Sequence, residues 1–279
     1  MYRALAKTKE KGLNERIFVF PRRVAKPKLR IFCFPYAGGS ITSYYSWVKH
    51  FNKDIELVFV QPPGRSSRIA ERPHESMDEL IEELMSQADF ITQVPFVFFG
   101  HSLGGRVAYE LTRQLLASGR KQPEYLIVSG SRAAHLPGLK GNVFSLPKDQ
   151  FIDRLANMNG TPQEVLDNKE LMELLIPVLR ADFKIAEIYK ADIFPVPVPT
   201  LVLYGDEDKD VSIDQVQAWR MLSSKETSIQ KLPGGHFFVD SHSDLVIAQV
   251  QNVIDGCIRS ACNWRLVKWP INAGSIKAG

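Results

Sequence analysis

Short runs of apolar, strand-favouring residues recur along the chain at 29–34, 55–60, 96–99, 125–128 and 200–204. They are continuously apolar rather than alternating, which predicts strands buried on both faces of a parallel sheet. Weaker strand patterns lie at 17–20 and 228–232. Between the runs the spacing turns helical. Tyr44, Trp47, Val48 and Phe51 form one apolar stripe, and Leu80, Ile81, Leu84 and Ala88 form another behind the capping box Ser76-Met77-Asp78-Glu79. Ala108, Leu111 and Leu115 form a third, which stops at Ser118-Gly119, and Val246, Val250, Val253, Ile254 and Cys257 mark a last helix. Strands alternating with helices predict an α/β fold whose functional groups gather at the carboxyl ends of the strands.

The segment from about 146 to 190 breaks this rhythm, because helical periodicity continues there with no intervening strand. It is expected to be a helical lid inserted into a single domain spanning 17–258, with an N-terminal arm at 1–16 and a tail at 259–279. Thr161 should cap a helix that begins with Pro162, and Pro177 should kink or end the longest lid helix. Phe151, Leu155, Leu171, Leu174, Leu175 and Leu179 offer apolar surface for a substrate, while residues 157–160 and Pro177 supply hinges, so the lid is expected to be mobile and to set access to the site.

Composition narrows the function class. At 279 residues, 44% hydrophobic and 24% charged, the chain can bury one large core. The net charge of +4 is small and the basic residues form no long block, so no nucleic-acid partner is expected. Cys33, Cys257 and Cys262 are scattered without a C-x-x-C pair, which points to neither a disulfide framework nor a zinc site. The N-terminus lacks an apolar leader and no stretch is long enough to cross a bilayer, so a soluble, cytoplasmic monomer with no membrane association is expected.

The chemistry centres on Gly100-His101-Ser102-Leu103-Gly104. An apolar strand before it and an amphipathic helix after it make the G-x-S-x-G pattern a nucleophile elbow. Its strained turn lifts the Ser102 hydroxyl clear of the sheet and aims the Leu103 amide at a developing oxyanion. Serine needs a base, and the base needs an acid; in such folds they follow in the order acid, then histidine, on loops at later strand ends. His236, in the glycine turn Pro233-Gly234-Gly235, is the histidine that meets those conditions, whereas His101 should point away from the hydroxyl. Asp206, Glu207, Asp208 and Asp210 crowd the preceding loop, and spacing alone leaves the acid open among them. Asp206-x-Asp208-x-Asp210 also resembles the start of a calcium loop, but Val211 and Gln217 replace the glycine and glutamate it requires, so no metal is expected. The second oxyanion amide should come from Pro35-Tyr36-Ala37-Gly38-Gly39, and no motif for ATP, zinc or a dinucleotide is present.

These stretches together resemble the type II thioesterases, the free-standing α/β-hydrolases that accompany polyketide and nonribosomal peptide synthetases. The resemblance covers roughly 29–255 and rests on Phe34-Pro35-Tyr36-Ala37-Gly38-Gly39, Gln61-Pro62-Pro63-Gly64-Arg65, Gly100-His101-Ser102-Leu103-Gly104-Gly105, Gly160-Thr161-Pro162 and Leu179-Arg180-Ala181-Asp182. It implies an α/β-hydrolase fold, Asp208 as the acid, His236 as the base, and the amides of Ala37 and Leu103 as the oxyanion hole. It further implies hydrolysis of acyl or aminoacyl thioesters from the phosphopantetheine arm of an acyl or peptidyl carrier protein through an acyl-serine, with no cofactor of the enzyme's own. The rival readings are a general carboxylesterase or lipase with the same chemistry on oxygen esters, and a catalytically silent hydrolase fold serving as a binding module.

Overall fold

The computed structural model describes residues 15–138, 142–158 and 160–266, with backbone only from 260 onward. Seven strands are found among them: β1 (Phe18–Val19), β2 (Leu29–Phe34), β3 (Ile55–Val60), β4 (Phe96–His101), β5 (Tyr125–Ser129), β6 (Thr200–Gly205) and β7 (Thr227–Leu232). They form one sheet in the order β1-β3-β2-β4-β5-β6-β7. All neighbours are parallel except β1, which runs antiparallel to β3. This is the α/β-hydrolase arrangement that the alternating pattern predicts. Every residue of β2, β3 and β4 is buried, as continuously apolar strands covered on both faces must be. One core lies on each face, built around Phe32, Phe98 and Val202 on one side and Ile31, Phe99 and Leu203 on the other.

The covering helices are α1 (Met77–Met85), α2 (Ala88–Ile91) and α3 (Leu103–Ala117), then α4 (Lys148–Asn157), α5 (Gln163–Leu166) and α6 (Lys169–Ile188) of the insertion, and finally α7 (Ile213–Gln217), α8 (Phe238–Ser241) and α9 (Ser243–Leu266). At α1 the Ser76 hydroxyl accepts from the Glu79 amide, as the capping pattern predicts, while the Glu79 carboxylate returns to the amide of Glu75 rather than that of Ser76. None of the helices among the described residues is long and apolar enough to cross a membrane.

Three expectations need correction and one is narrowed. Residues Ile41–His50 wind as 3₁₀ turns rather than an α-helix; a run of β-branched and aromatic side chains buries Tyr44 and Trp47 on a three-residue repeat. α5 begins at Gln163, one residue later than expected, with Pro162 in extended geometry as its cap. α6 continues through Pro177, which excludes the helix end of the two outcomes expected there, since its C-terminal half is anchored by buried Val178, Leu179, Phe183 and Ile185. The last helix extends to Leu266, into the segment assigned to a tail, because helix growth is cooperative and no proline interrupts it before Pro270. Of the arm and tail, residues 1–14 and 267–279 lie outside the described residues.

Candidate active site

The elbow forms because three glycines remove side chains where backbones must touch. A Cβ on Gly100 would overlap the Gly104 carbonyl, one on Gly104 would overlap the Phe34 carbonyl, and one on Gly105 would come within 2.9 Å of Val128 Cγ1. Helix α3 can therefore start flush against β2, β4 and β5. Ser102 sits at its cap with φ 52° and ψ −115°, a left-handed strain that a non-glycine residue tolerates only when its surroundings impose it. That conformation brings the serine hydroxyl out at the carboxyl edge of the sheet, at the positive end of a fifteen-residue helix.

The loops after β6 and β7 deliver the partners. His236 Nε2 lies 3.1 Å from Ser102 Oγ, and His236 Nδ1 lies 2.8 Å from Asp208 Oδ2. The second Asp208 oxygen accepts from the amides of Asp210 (2.8 Å) and Val211 (3.1 Å), so both its oxygens are engaged and its side chain is fully buried. Asp206 instead accepts from the Gly234 amide at 3.1 Å, tying the acid loop to the histidine turn. Thus of the crowded acids only Asp208 reaches the imidazole. Asp208, Asp210 and His236 do bring ligand-type atoms within 4.8 Å of one another. Both ring nitrogens and both Asp208 oxygens are engaged in hydrogen bonds of the triad and its loop.

His101 does point away. Its Nδ1 lies 2.9 Å from Ser129 Oγ, and its ring packs edge-on against Tyr36 and Phe238. Burial first, and the nearby His236 second, hold its pKa well below the ordinary range, so it stays neutral beside the triad.

The loop after β2 carries Ala37, whose amide, like that of Leu103, donates to no protein acceptor among the described residues. The loop is fixed by a pair that sequence reading passes over. Arg65 and Asp182 form a buried bidentate ion pair with both contacts at 2.8 Å. Asp182 Oδ2 also accepts from the Gly38 amide at 2.7 Å, and Arg65 donates to the Gly39 carbonyl at 2.9 Å. One lid residue and one loop residue thereby clamp the segment that offers the Ala37 amide. Gly38 (φ 75°) and Gly64 (φ 82°) let α6 settle on this loop, because a Cβ on either would strike Leu179 or Val178. Asp182→Ala is expected to destabilise the protein by about 3–5 kcal/mol, since it strands a buried guanidinium. A denaturant titration checks this, and the pair replaced together by Arg65→Met and Asp182→Leu should recover most of the loss.

The apolar lid residues do not lie where the spacing suggests. Phe151, Leu155 and Leu179 are buried in the lid's own core with Val143, Met172 and Phe183, and Leu175 packs against that core. Leu171 is half-buried, and Leu174 is 61% exposed. None of these six lines the cavity of about 60 Å³ that reaches Ser102 and His236; the insertion contributes Met158, Phe183 and Ala186 instead. A three-helix insertion must bury its own leucines before it can offer any to a substrate. Phe183 is one turn beyond Leu179, so the helical spacing could have reached it.

The thioesterase-domain family model matches residues 29–254. Gramicidin S biosynthesis protein GrsT of Aneurinibacillus migulanus is 38% identical over 213 residues, covering 76% of this chain and 83% of that protein. Thioesterase PikA5 of Streptomyces venezuelae is 34% identical over 216 residues and 76% of each chain. The solved structure of the RedJ thioesterase from the prodiginine pathway of Streptomyces coelicolor superposes with a TM-score of 0.76 at 30% identity, covering 83% of this chain and 95% of that one. With the match running from the first residue of β2 well into α9, and with relatives at this identity over most of their length, the chain belongs to the thioesterase family.

Proposed function

We propose that this chain hydrolyses acyl or aminoacyl thioesters held on the phosphopantetheine arm of a carrier protein, clearing or releasing groups from a polyketide or nonribosomal peptide assembly line. Ser102, His236 and Asp208 act as nucleophile, base and acid. Ser102 Oγ attacks the thioester carbonyl while His236 Nε2 takes its proton, and the Ala37 and Leu103 amides receive the oxyanion. The tetrahedral intermediate collapses with cleavage of the C–S bond, and the thiol leaves with the proton from His236. Water, deprotonated by the same nitrogen, then attacks the acyl-serine and releases the acid. Asp208 holds the imidazole in register and stabilises its charged form throughout. A thiolate is a good leaving group, a free thiol having a pKa near ~8.5, so this machinery suffices without a cofactor.

The observation that carries the reading is the continuous relay from Ser102 through His236 to Asp208, at 3.1 and 2.8 Å, beneath a lid that clamps the oxyanion loop. Two relatives named for gramicidin S and prodiginine biosynthesis support the assembly-line setting. The test compares one acyl group on three carriers: a carrier protein, coenzyme A and a p-nitrophenyl ester. The carrier protein should give the highest kcat/KM, because it adds protein contacts to the same thioester, and part of that gain should fade with salt. Equal values for carrier and coenzyme A would remove the partner, and a large preference for the oxygen ester would make the chain a carboxylesterase.

A further inference from the structure

Two arginines line the cavity of the nucleophile, and among the described residues neither makes an ion pair. Arg106 stands four residues after Ser102 on α3, hence on the same helix face one turn along, and Arg132 follows β5, the strand that pairs with β4 through Ser129 and His101. They are 3% and 6% exposed, and both line the cavity that holds Ser102. Arg106 Nη1 and Arg132 Nη2 each donate at 2.7 Å to one acceptor, the Ala186 carbonyl of the lid helix α6. The Nε of each is buried without an acceptor, and among the described residues no carboxylate comes within ion-pair distance of either.

Glu187 does act on Arg132 electrostatically, but from beyond ion-pair distance: its Oε1 accepts from the Val143 amide, its Oε2 is buried without a hydrogen-bond partner, and burial raises its pKa. Burial, followed by repulsion from Arg132, pushes Arg106 down to about 9. Two like charges packed together out of water are costly, and capping one helix carbonyl requires a single donor rather than two guanidiniums. Such an arrangement is half of an anion site. Arginine forks match planar carboxylates in particular.

We propose that Arg106 and Arg132 form a carboxylate subsite of the acyl pocket, and that the chain accepts short acyl thioesters whose far end is a carboxylate, of the malonyl class. This inference rests on the thioesterase reading of Ser102. Arg106 is one helical turn from Ser102 and both guanidiniums line the same cavity, so an anion held by them lies close to the scissile carbonyl, as the far carboxylate of a short acyl group does. The phosphate of a pantetheine arm lies many bonds from the sulfur, on the leaving-group side of the scissile carbonyl, and is therefore a different anion from the one placed beside Ser102. Asp210 also lines the cavity, but it is half-exposed and its charge is screened by solvent, whereas the arginines are not.

Malonyl and isovaleryl thioesters of N-acetylcysteamine test the subsite, because their acyl groups match in shape and the leaving thiol carries no phosphate. The wild-type protein should show the higher kcat/KM with malonyl. That ratio should fall at least about tenfold in Arg106→Met and in Arg132→Met, and stay within about threefold of wild type in Arg106→Lys, which retains the charge. Fluorophosphonate labelling of Ser102 reports whether each variant keeps an intact elbow, and Arg106→Gln replaces any variant that fails to label. A wild-type preference for isovaleryl, or an unchanged ratio in labelled methionine variants, overturns the subsite while leaving the thioesterase reading in place. Labelled wild-type protein that hydrolyses neither thioester overturns both.

Discussion

Ser102→Ala and His236→Ala are each expected to lower kcat by at least about 10³, and the double variant should be scarcely worse than either alone. The geometry gives the reason. His236 Nε2 has one productive partner, Ser102 Oγ at 3.1 Å, so removing either group leaves the other without its partner in the proton transfer. What remains in both cases is the oxyanion loop and the binding cavity, which act without the triad. The fold should survive these changes, because Ser102 donates its amide rather than its hydroxyl to β5, at the Ser129 carbonyl. Single-turnover and steady-state rates on the three variants decide it. Losses that multiplied would mean that the two residues act independently.

Asp208→Asn is expected to cost orders of magnitude in kcat, while Asp206→Asn should cost under about tenfold. Asp208 is fully buried, and its Oδ2 faces His236 Nδ1 while its Oδ1 takes two backbone amides. An asparagine there would still fit, but it would remove the charge that stabilises the imidazolium and could present an amide where the ring needs an acceptor. Asp206 is partly exposed and holds only the Gly234 amide, with Lys231 at 3.8 Å, so its loss slackens the histidine turn without touching the ring. Steady-state kinetics on the two purified variants separates the roles. A crippled Asp206→Asn beside a mildly affected Asp208→Asn would move the acid to the wrong residue.

Much of this architecture was legible in the residues because it follows from local rules. Strands buried on both faces have to be continuously apolar, which located β2 through β6, and a strand-to-helix turn this tight requires the glycines flanking Ser102. His236 followed from chain order. The choice among four neighbouring acids did not, since it depends on a loop that turns the Asp208 side chain inward and leaves Asp206 outside. Long-range pairing was equally hidden: Arg65 and Asp182 lie 117 residues apart, and both read as members of separate motifs until the lid folds over the loop. The lid leucines misled because an apolar stripe announces burial without saying against what, and these residues bury one another. Arg106 and Arg132 sat unnoticed because a charge in an amphipathic helix or a loop ordinarily faces solvent.

The central claim is that thioester hydrolysis passes through an acyl group on Ser102, and rapid-quench mass spectrometry of the protein mixed with an acyl thioester tests it most directly. A covalent adduct of the acyl mass should appear on the peptide containing Ser102, form within one turnover and disappear as free acid accumulates. Hydrolysis that proceeds with no such adduct, and at an undiminished rate in Ser102→Ala, would contradict the account.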